Sequence, residues 1–235
     1  MVNMKKIVVS ANAKSRVRLS PEQRESQIVA AAIDFFSRRG LDAQIRDLAK
    51  EIGMAHTLLY HYFPTKQALI DRVYDELFMG RWKPDWEKLL DIPMPIEEKL
   101  CTLYESYLPT ILTPEWMRII VGSGLSDGVI PNRYFAMMNQ RFFPKLIRET
   151  RKAFGSKSKA KTSVREQGLL MGLHGGLIYS LGIWPHVYGQ PFEGMNNPSD
   201  VKLIIRDRVK AYLSLAPEVV VGAIPIELKT IRRAA

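Results

Sequence analysis

Residues 45–63 read Ile-Arg-Asp-Leu-Ala-Lys-Glu-Ile-Gly-Met-Ala-His-Thr-Leu-Leu-Tyr-His-Tyr-Phe. Around one glycine they gather a guanidinium (Arg46), two imidazoles (His56, His61), a hydroxyl (Thr57) and two phenols (Tyr60, Tyr62), and Lys66 follows shortly after. Such groups hydrogen-bond to phosphate oxygens and to the polar edges of bases. They are poorly placed for bond-making. No acidic or cysteine partner is spaced to complete a metal site with His56 and His61. We find no nucleophile–base pair and no phosphate-binding glycine loop elsewhere in the chain. Catalytic residues, metals and cofactors are therefore not expected, and an all-helical enzyme with a basic surface is the less favoured class.

Two short helices joined through Gly53 would position these side chains. Ile45, Leu48 and Ile52 recur at helical spacing before the glycine, with Asp42 as a candidate cap. A second helix follows from about Ala55 to Tyr62, and Pro64 ends it. Gly53 suits the left-handed backbone that a sharp reversal needs, and Ala49 lets the helices approach. Leu48, Ile52, Leu59 and Phe63 would lock the pair together. That leaves His56, Thr57, Leu58, Tyr60 and His61 on the outer face, the arrangement of a helix-turn-helix whose second helix enters the DNA major groove.

A supporting helix precedes the pair. Ser20-Pro21-Glu22-Gln23 is a strong start, with Ser20 as cap, Pro21 in the first turn and Gln23 reaching back. Ile28, Ala31, Ala32, Phe35 and Phe36 form one apolar stripe, and Gly40 stops the helix after Arg38-Arg39. A fourth helix begins near Thr65, with Leu69, Val73 and Leu77 on one face.

This stretch resembles the TetR family of bacterial transcriptional regulators. The resemblance rests on Phe35-Phe36, Gly40, Arg46-Asp47-Leu48-Ala49, Gly53 and above all Leu59-Tyr60-His61-Tyr62-Phe63-Pro64-Thr65-Lys66-Gln67-Ala68-Leu69. It covers residues 22 to about 77. It implies that Arg46 reaches phosphate or a base edge, and that His56, Thr57 and Leu58 face the groove. It also implies that Tyr60 and Tyr62 meet the sugar–phosphate backbone and that Lys66 contacts phosphate beside a helix N-terminus. Our reading of the outer face adds His61. Ala55 replaces the family's usual capping Ser, Leu58 replaces its usual Thr, the loop after Gly40 is one residue shorter than the common form, and Gln44 replaces a Thr or Ser. These departures bear on which DNA sequence is read.

The balance of the whole chain agrees. Its 235 residues allow one large domain or two modest ones. With 46% apolar and 25% charged residues, a disordered or collagen-like chain is excluded. A net charge of +10 favours a polyanionic partner. The single cysteine, Cys101, rules out an internal disulfide framework and fits a reducing, cytoplasmic compartment. Residues 1–19 carry five basic and no acidic residues and read as a flexible arm. Lys5-Lys6 before Ile7–Ala13 resembles a signal peptide, but the apolar run is short and holds Ser10 and Asn12. Gln167–Phe192 lacks charged residues, yet Gly168, Gly172, Gly175, Gly176 and Gly182, with His174 and Pro185, favour a buried core or dimer helix over a membrane span.

The fold expected is all-α: a helix-turn-helix DNA-binding domain over 20–65, then a larger helical ligand-binding and dimerisation domain over 66–216. After the proline-containing stretch Trp82–Pro95, helices are expected near 96–112, 114–121, 132–153, 162–184 and 200–215, with a kink at Pro144. The basic segment Arg151–Lys161 reads as a solvated loop, and residues 217–235 read as an extended tail. Gly168, Gly172 and Gly176 lie on one helical face, which suits close approach of another helix, either from a symmetry mate or from the same subunit. The family's second domain implies a small-molecule effector pocket. Tyr104, Trp116, His174 and Tyr179 are the candidates to line it, against the alternative that they are ordinary core aromatics. The partners implied are a palindromic DNA operator, a small-molecule effector and a second copy of the chain, with no membrane. A repressor released by its effector is the leading reading. An activator or corepressor-dependent regulator shares the same features, and a non-specific architectural protein is the more distant alternative.

Overall fold

A computed structural model describes residues 19–193, 195 and 197–221. The described residues form α-helices with no strand. The order is α1 (Pro21–Arg39), α2 (Ile45–Glu51), α3 (His56–Tyr62), α4 (Lys66–Tyr74), α5 (Pro84–Asp91), α6 (Ile96–Ile111), α7 (Pro114–Leu125), α8 (Val129–Met137), α9 (Phe143–Ala153), α10 (Val164–Ile178), α11 (Trp184–His186) and α12 (Pro198–Val221). Wider π-helical turns continue α4 over Asp75–Met79, join α8 to α9 over Met138–Phe142, and join α10 to α11 over Tyr179–Ile183. No helix among the described residues is long and apolar enough to cross a membrane. The basic arm lies almost wholly outside the described residues.

Local signals set most helix ends. Ser20 accepts from the Gln23 amide while the Gln23 side chain accepts from the Ser20 amide, a complete capping box. Ser163 and Glu166 repeat it at α10. Gly40 ends α1 at φ +80°, and Gly53 turns the chain at φ +65°. Ile28, Val29, Ala32, Phe35 and Phe36 of α1 are buried and pack towards α4 and α7. Burial of such side chains contributes about 1.5–3 kcal/mol each. The remaining core lies where α12 packs on α6 and α10, and α9 leans on α5, α6, α10 and α12.

Several sequence expectations are corrected. Residues 84–91, within the proline-containing stretch where no helix is expected, form α5, because Pro84 opens a helix and Trp86 and Leu90 are buried on one face. Asp42 does not cap α2. Gln44 holds the cap position without a side-chain bond, and the Asp42 carboxylate instead accepts from the Ser126 hydroxyl at 3.1 Å. The tail begins later than expected. α12 runs through Pro217 to Val221, with Ala216 buried and Glu218 accepting from Arg165 at 3.0 Å, so tertiary contacts outweigh the β-propensity of the valines. Residues 222–235 lie outside the described part. Arg151 is not a solvated loop residue: α9 extends to Ala153, and the Arg151 guanidinium is buried against Glu166. Pro144 does disturb its helix, and the π turn at Met138–Phe142 immediately precedes it. That turn accommodates the missing amide donor of Pro144.

Candidate nucleic-acid interface

α2 and α3 meet across the Gly53 turn, which the Met54 amide closes on the Ala49 carbonyl at 2.9 Å. Leu48, Ala49, Leu59 and Phe63 are buried behind the pair, joined by Ile45 and by Leu69 from α4. Leu59 therefore sets the orientation of α3. At about 100° per residue, Thr57 and His61 point almost directly away from Leu59. Leu58 and Tyr60 take the flanks. All four are exposed, Leu58 at 42% and Tyr60 at 37%. An exposed leucine beside an exposed tyrosine on a seven-residue helix has no packing role in this chain. His56 is exposed on the same helix, and its ring meets Tyr60 edge-on at 4.6 Å. Tyr62 is half-buried and packs against the core, so it is less free for the sugar–phosphate contact that the resemblance implies.

Two cations flank this face. Arg46 is exposed in the first turn of α2, and it pairs with no acidic side chain among the described residues. Lys66 opens α4, where Thr65 accepts from the Ala68 amide and leaves other first-turn amides free. A phosphate there would meet both the ammonium and the helix N-terminus. By contrast, Arg38 and Arg39 are committed. Arg38 pairs with Asp34 and Glu51, and Arg39 reaches Glu51 at 3.5 Å, which ties α1 to α2. Ala55 holds the cap position of α3 and offers no side-chain cap. This costs about 1 kcal/mol relative to Ser.

The candidate effector residues separate into two places. Tyr104 and His174 are buried side by side, with the phenol 3.4 Å from His174 Nδ1. Burial lowers the His174 pKa to about 4, so the ring is neutral at physiological pH. Burial likewise pushes the Tyr104, Tyr107 and Tyr134 phenols far above their usual range. Trp116 lies in the adjoining cluster, its ring 5.2 Å from Tyr134 and 5.1 Å from Phe78. Its indole N–H is buried and meets no acceptor among the described residues. Tyr179 is elsewhere: it is 46% exposed and lies beside Trp184 and Tyr188.

Sequence reading noted Tyr107 and Tyr134 as helical aromatics without assigning them to the pocket, and it missed Phe78 and Arg133. Tyr107 and Tyr134 share a short hydroxyl hydrogen bond. Phe78 at the end of α4 stacks on Tyr74 at 5.3 Å and meets Tyr134 at 5.8 Å. Arg133 of α8 pairs with Asp71 at 2.7 Å and lies 4.0 Å above the Tyr74 ring. Aromatic contacts thus run from His174 to α4, the helix that Lys66 begins. Only their helical spacing was visible in sequence; their pairing spans up to 70 residues of chain.

Comparison with known proteins agrees with this geometry. Residues 28–73 match the model of the bacterial regulatory proteins of the tetR family. The chain is 32% identical over 65 residues to the HTH-type transcriptional regulator LuxR of Vibrio harveyi, covering 27% of this chain and 32% of that protein. It is 31% identical over 88 residues to the HTH-type transcriptional repressor KstR2 of Rhodococcus jostii (strain RHA1), covering 35% of this chain and 43% of that protein. The matches thus span less than half the length of these curated relatives. The fold is shared more widely. A TetR family transcriptional regulator from Pseudomonas syringae pv. tomato superposes with a TM-score of 0.56 at 19% identity, over 83% of this chain and 97% of that one. A putative TetR-family regulator from Mesorhizobium loti gives 0.52 at 15% identity, over 84% and 98%. Residues 28–73 thus carry the DNA-binding segment of the tetR family of bacterial regulatory proteins, and the chain as a whole shares the fold of solved TetR-family regulators.

Proposed function

We propose that this chain is a cytoplasmic, sequence-specific DNA-binding repressor that acts as a homodimer on a palindromic operator and is released by a small-molecule effector. One observation carries the DNA-binding reading. α3 turns Thr57 and His61 outward opposite buried Leu59, with Arg46 and Lys66 available beside them. In this reading Thr57, Leu58 and His61 meet base edges, with His56 at the start of the helix. Arg46, Tyr60, Tyr62 and Lys66 hold the backbone. One short helix reads few base pairs, so a second copy supplies the other half-site. Gly168 and Gly172 leave open space beside α10, where a symmetry mate would approach.

The effector part of the proposal rests on the buried polar groups of the second half. Leaving a buried N–H such as that of Trp116 unmet costs about 1–3 kcal/mol. A ligand acceptor near Trp116 would recover it, and Tyr104 and His174 lie along the same aromatic array. Rearrangement there would move Phe78 and Tyr74 and so shift α4. Only a ligand that binds the two arrangements unequally can drive that change. Tyr179 stands outside this array.

The test is selection of bound duplexes from a random DNA pool by the purified protein. An enriched inverted repeat is expected. Salt-sensitive binding without enrichment would sink the sequence-specific reading.

A further inference from the structure

The segment after α9 is built rather than slack. Arg151 is buried and forms a two-point ion pair with Glu166 at 2.6 and 2.7 Å. Its remaining N–H groups donate to loop carbonyls, to Ala160 at 2.7 Å and to Ser158 and Lys161 at 3.4 Å. Ser156 and Ser158 add hydrogen bonds inside the loop. This frame shapes a cleft of about 1060 Å³, at the upper end of small-molecule sites.

The cleft is one-signed. Arg148, Lys152, Lys157, Lys159 and Lys161 line it, and no acidic residue does. Arg148 and Lys152 have carboxylate partners in Asp91 and Glu149. Lys157, Lys159 and Lys161 are exposed and pair with no acidic side chain among the described residues. Three like charges on alternate residues repel one another, and an anion between them relieves that repulsion.

The cleft also has an apolar end. A smaller cavity of about 120 Å³ shares Asn139, Pro144, Thr162 and Gln167 with it and is walled by Phe143, Ile147, Leu170 and Met171. It has room for a short apolar group. Phe143 in turn meets His174 edge-on at 5.1 Å.

These lysines belong to the second half. α9, which leads into the cleft, packs on α5, α6, α10 and α12. A duplex on α3 does not account for them.

We infer that this cleft is a second ligand site, for an organic diphosphate or similar polyanionic phosphate bearing a short apolar end. The phosphates sit among Lys157, Lys159 and Lys161, and the apolar end enters beside Phe143 and Met171. It stands apart from the Trp116 site and does not depend on the operator reading.

Calorimetric titration of the full chain with dimethylallyl diphosphate, inorganic pyrophosphate and dimethylallyl alcohol tests it. The diphosphate ester is expected to bind at least tenfold more tightly than pyrophosphate, and the alcohol not to bind. The triple variant Lys157→Ala, Lys159→Ala, Lys161→Ala should weaken the ester at least tenfold. The changes are on exposed loop residues, and an unchanged circular dichroism melt confirms the fold. Met171→Asp should bring the ester down to pyrophosphate level or below. Equal binding of ester and pyrophosphate to the unaltered protein, no binding of either, or a triple variant that binds as before overturns the proposal. So does a triple variant that loses DNA affinity instead, which would assign the lysines to nucleic acid.

Discussion

The two ends of the molecule use polar residues in opposite ways. On α2 and α3, Arg46, Thr57 and His61 face outward and contribute little to the core. In the second half, Lys99–Glu149, Arg151–Glu166, Thr150–Tyr212 and Tyr104–His174 are buried and paired with one another. The first set is free for a partner; the second is spent on the fold. A polar residue therefore signals binding only when the chain leaves it unpaired. By that standard Lys157, Lys159 and Lys161 belong with the first set, although they sit in the second half.

The sharpest way to break this contrast is Glu166→Ala. It strands a buried guanidinium, and a loss of about 3–5 kcal/mol is expected in chemical denaturation. A change below about 0.5 kcal/mol would mean that the buried pairs are not structural. Acid titration of stability tests the same idea. His174 has a lowered pKa of about 4 when folded, so its contribution is present above its unfolded value near 6.5 and is lost as pH falls towards 4. That contribution is up to about 3 kcal/mol, and His174→Phe should remove this limb of the pH profile. Glu166 is held at about 2, chiefly by its hydrogen bonds from Arg151. Its contribution is therefore complete above about pH 4.5 and is lost from there towards pH 2.

Changes at the reading end should spare stability and alter DNA binding. Thr57→Ala should shift preference at one base pair per half-site by about 1–3 kcal/mol. An unchanged selected sequence would mean that α3 is not the reader. Lys66→Ala should weaken all sequences alike and reduce the salt dependence by about one counterion. The smallest effect belongs to Ala55→Ser, which adds the missing cap of α3. It should raise the thermal midpoint through about 1 kcal/mol without changing which sequence is selected.

Much of the first 80 residues was legible because its determinants are local. Ser20, Gly40, Gly53 and Thr65 act within a few residues of themselves, and short-range periodicity shows which side of each helix is apolar. The one misplaced cap there, Asp42, failed because α2 begins at Ile45, which puts Gln44 in the cap position and leaves the Asp42 carboxylate to Ser126. The second half resisted the same method. Periodicity found its long helices but missed α5, whose start is hidden among prolines, and ended α12 too early. It gave no means of telling Arg151, a buried tie, from Lys157, an exposed cation a few residues later. Nor could it separate Tyr104 and His174, which meet, from Tyr179, which does not join them.

The sequence by itself determined the helical class, the helix-turn-helix and the residue types on its outer face, because caps, glycine turns and a 3.6-residue repeat are properties of neighbouring residues. Only the tertiary structure decided which polar groups are left over for partners. Each carboxylate or hydroxyl can be claimed by a side chain far along the chain, and the balance between desolvation and pairing exists only once the helices have packed.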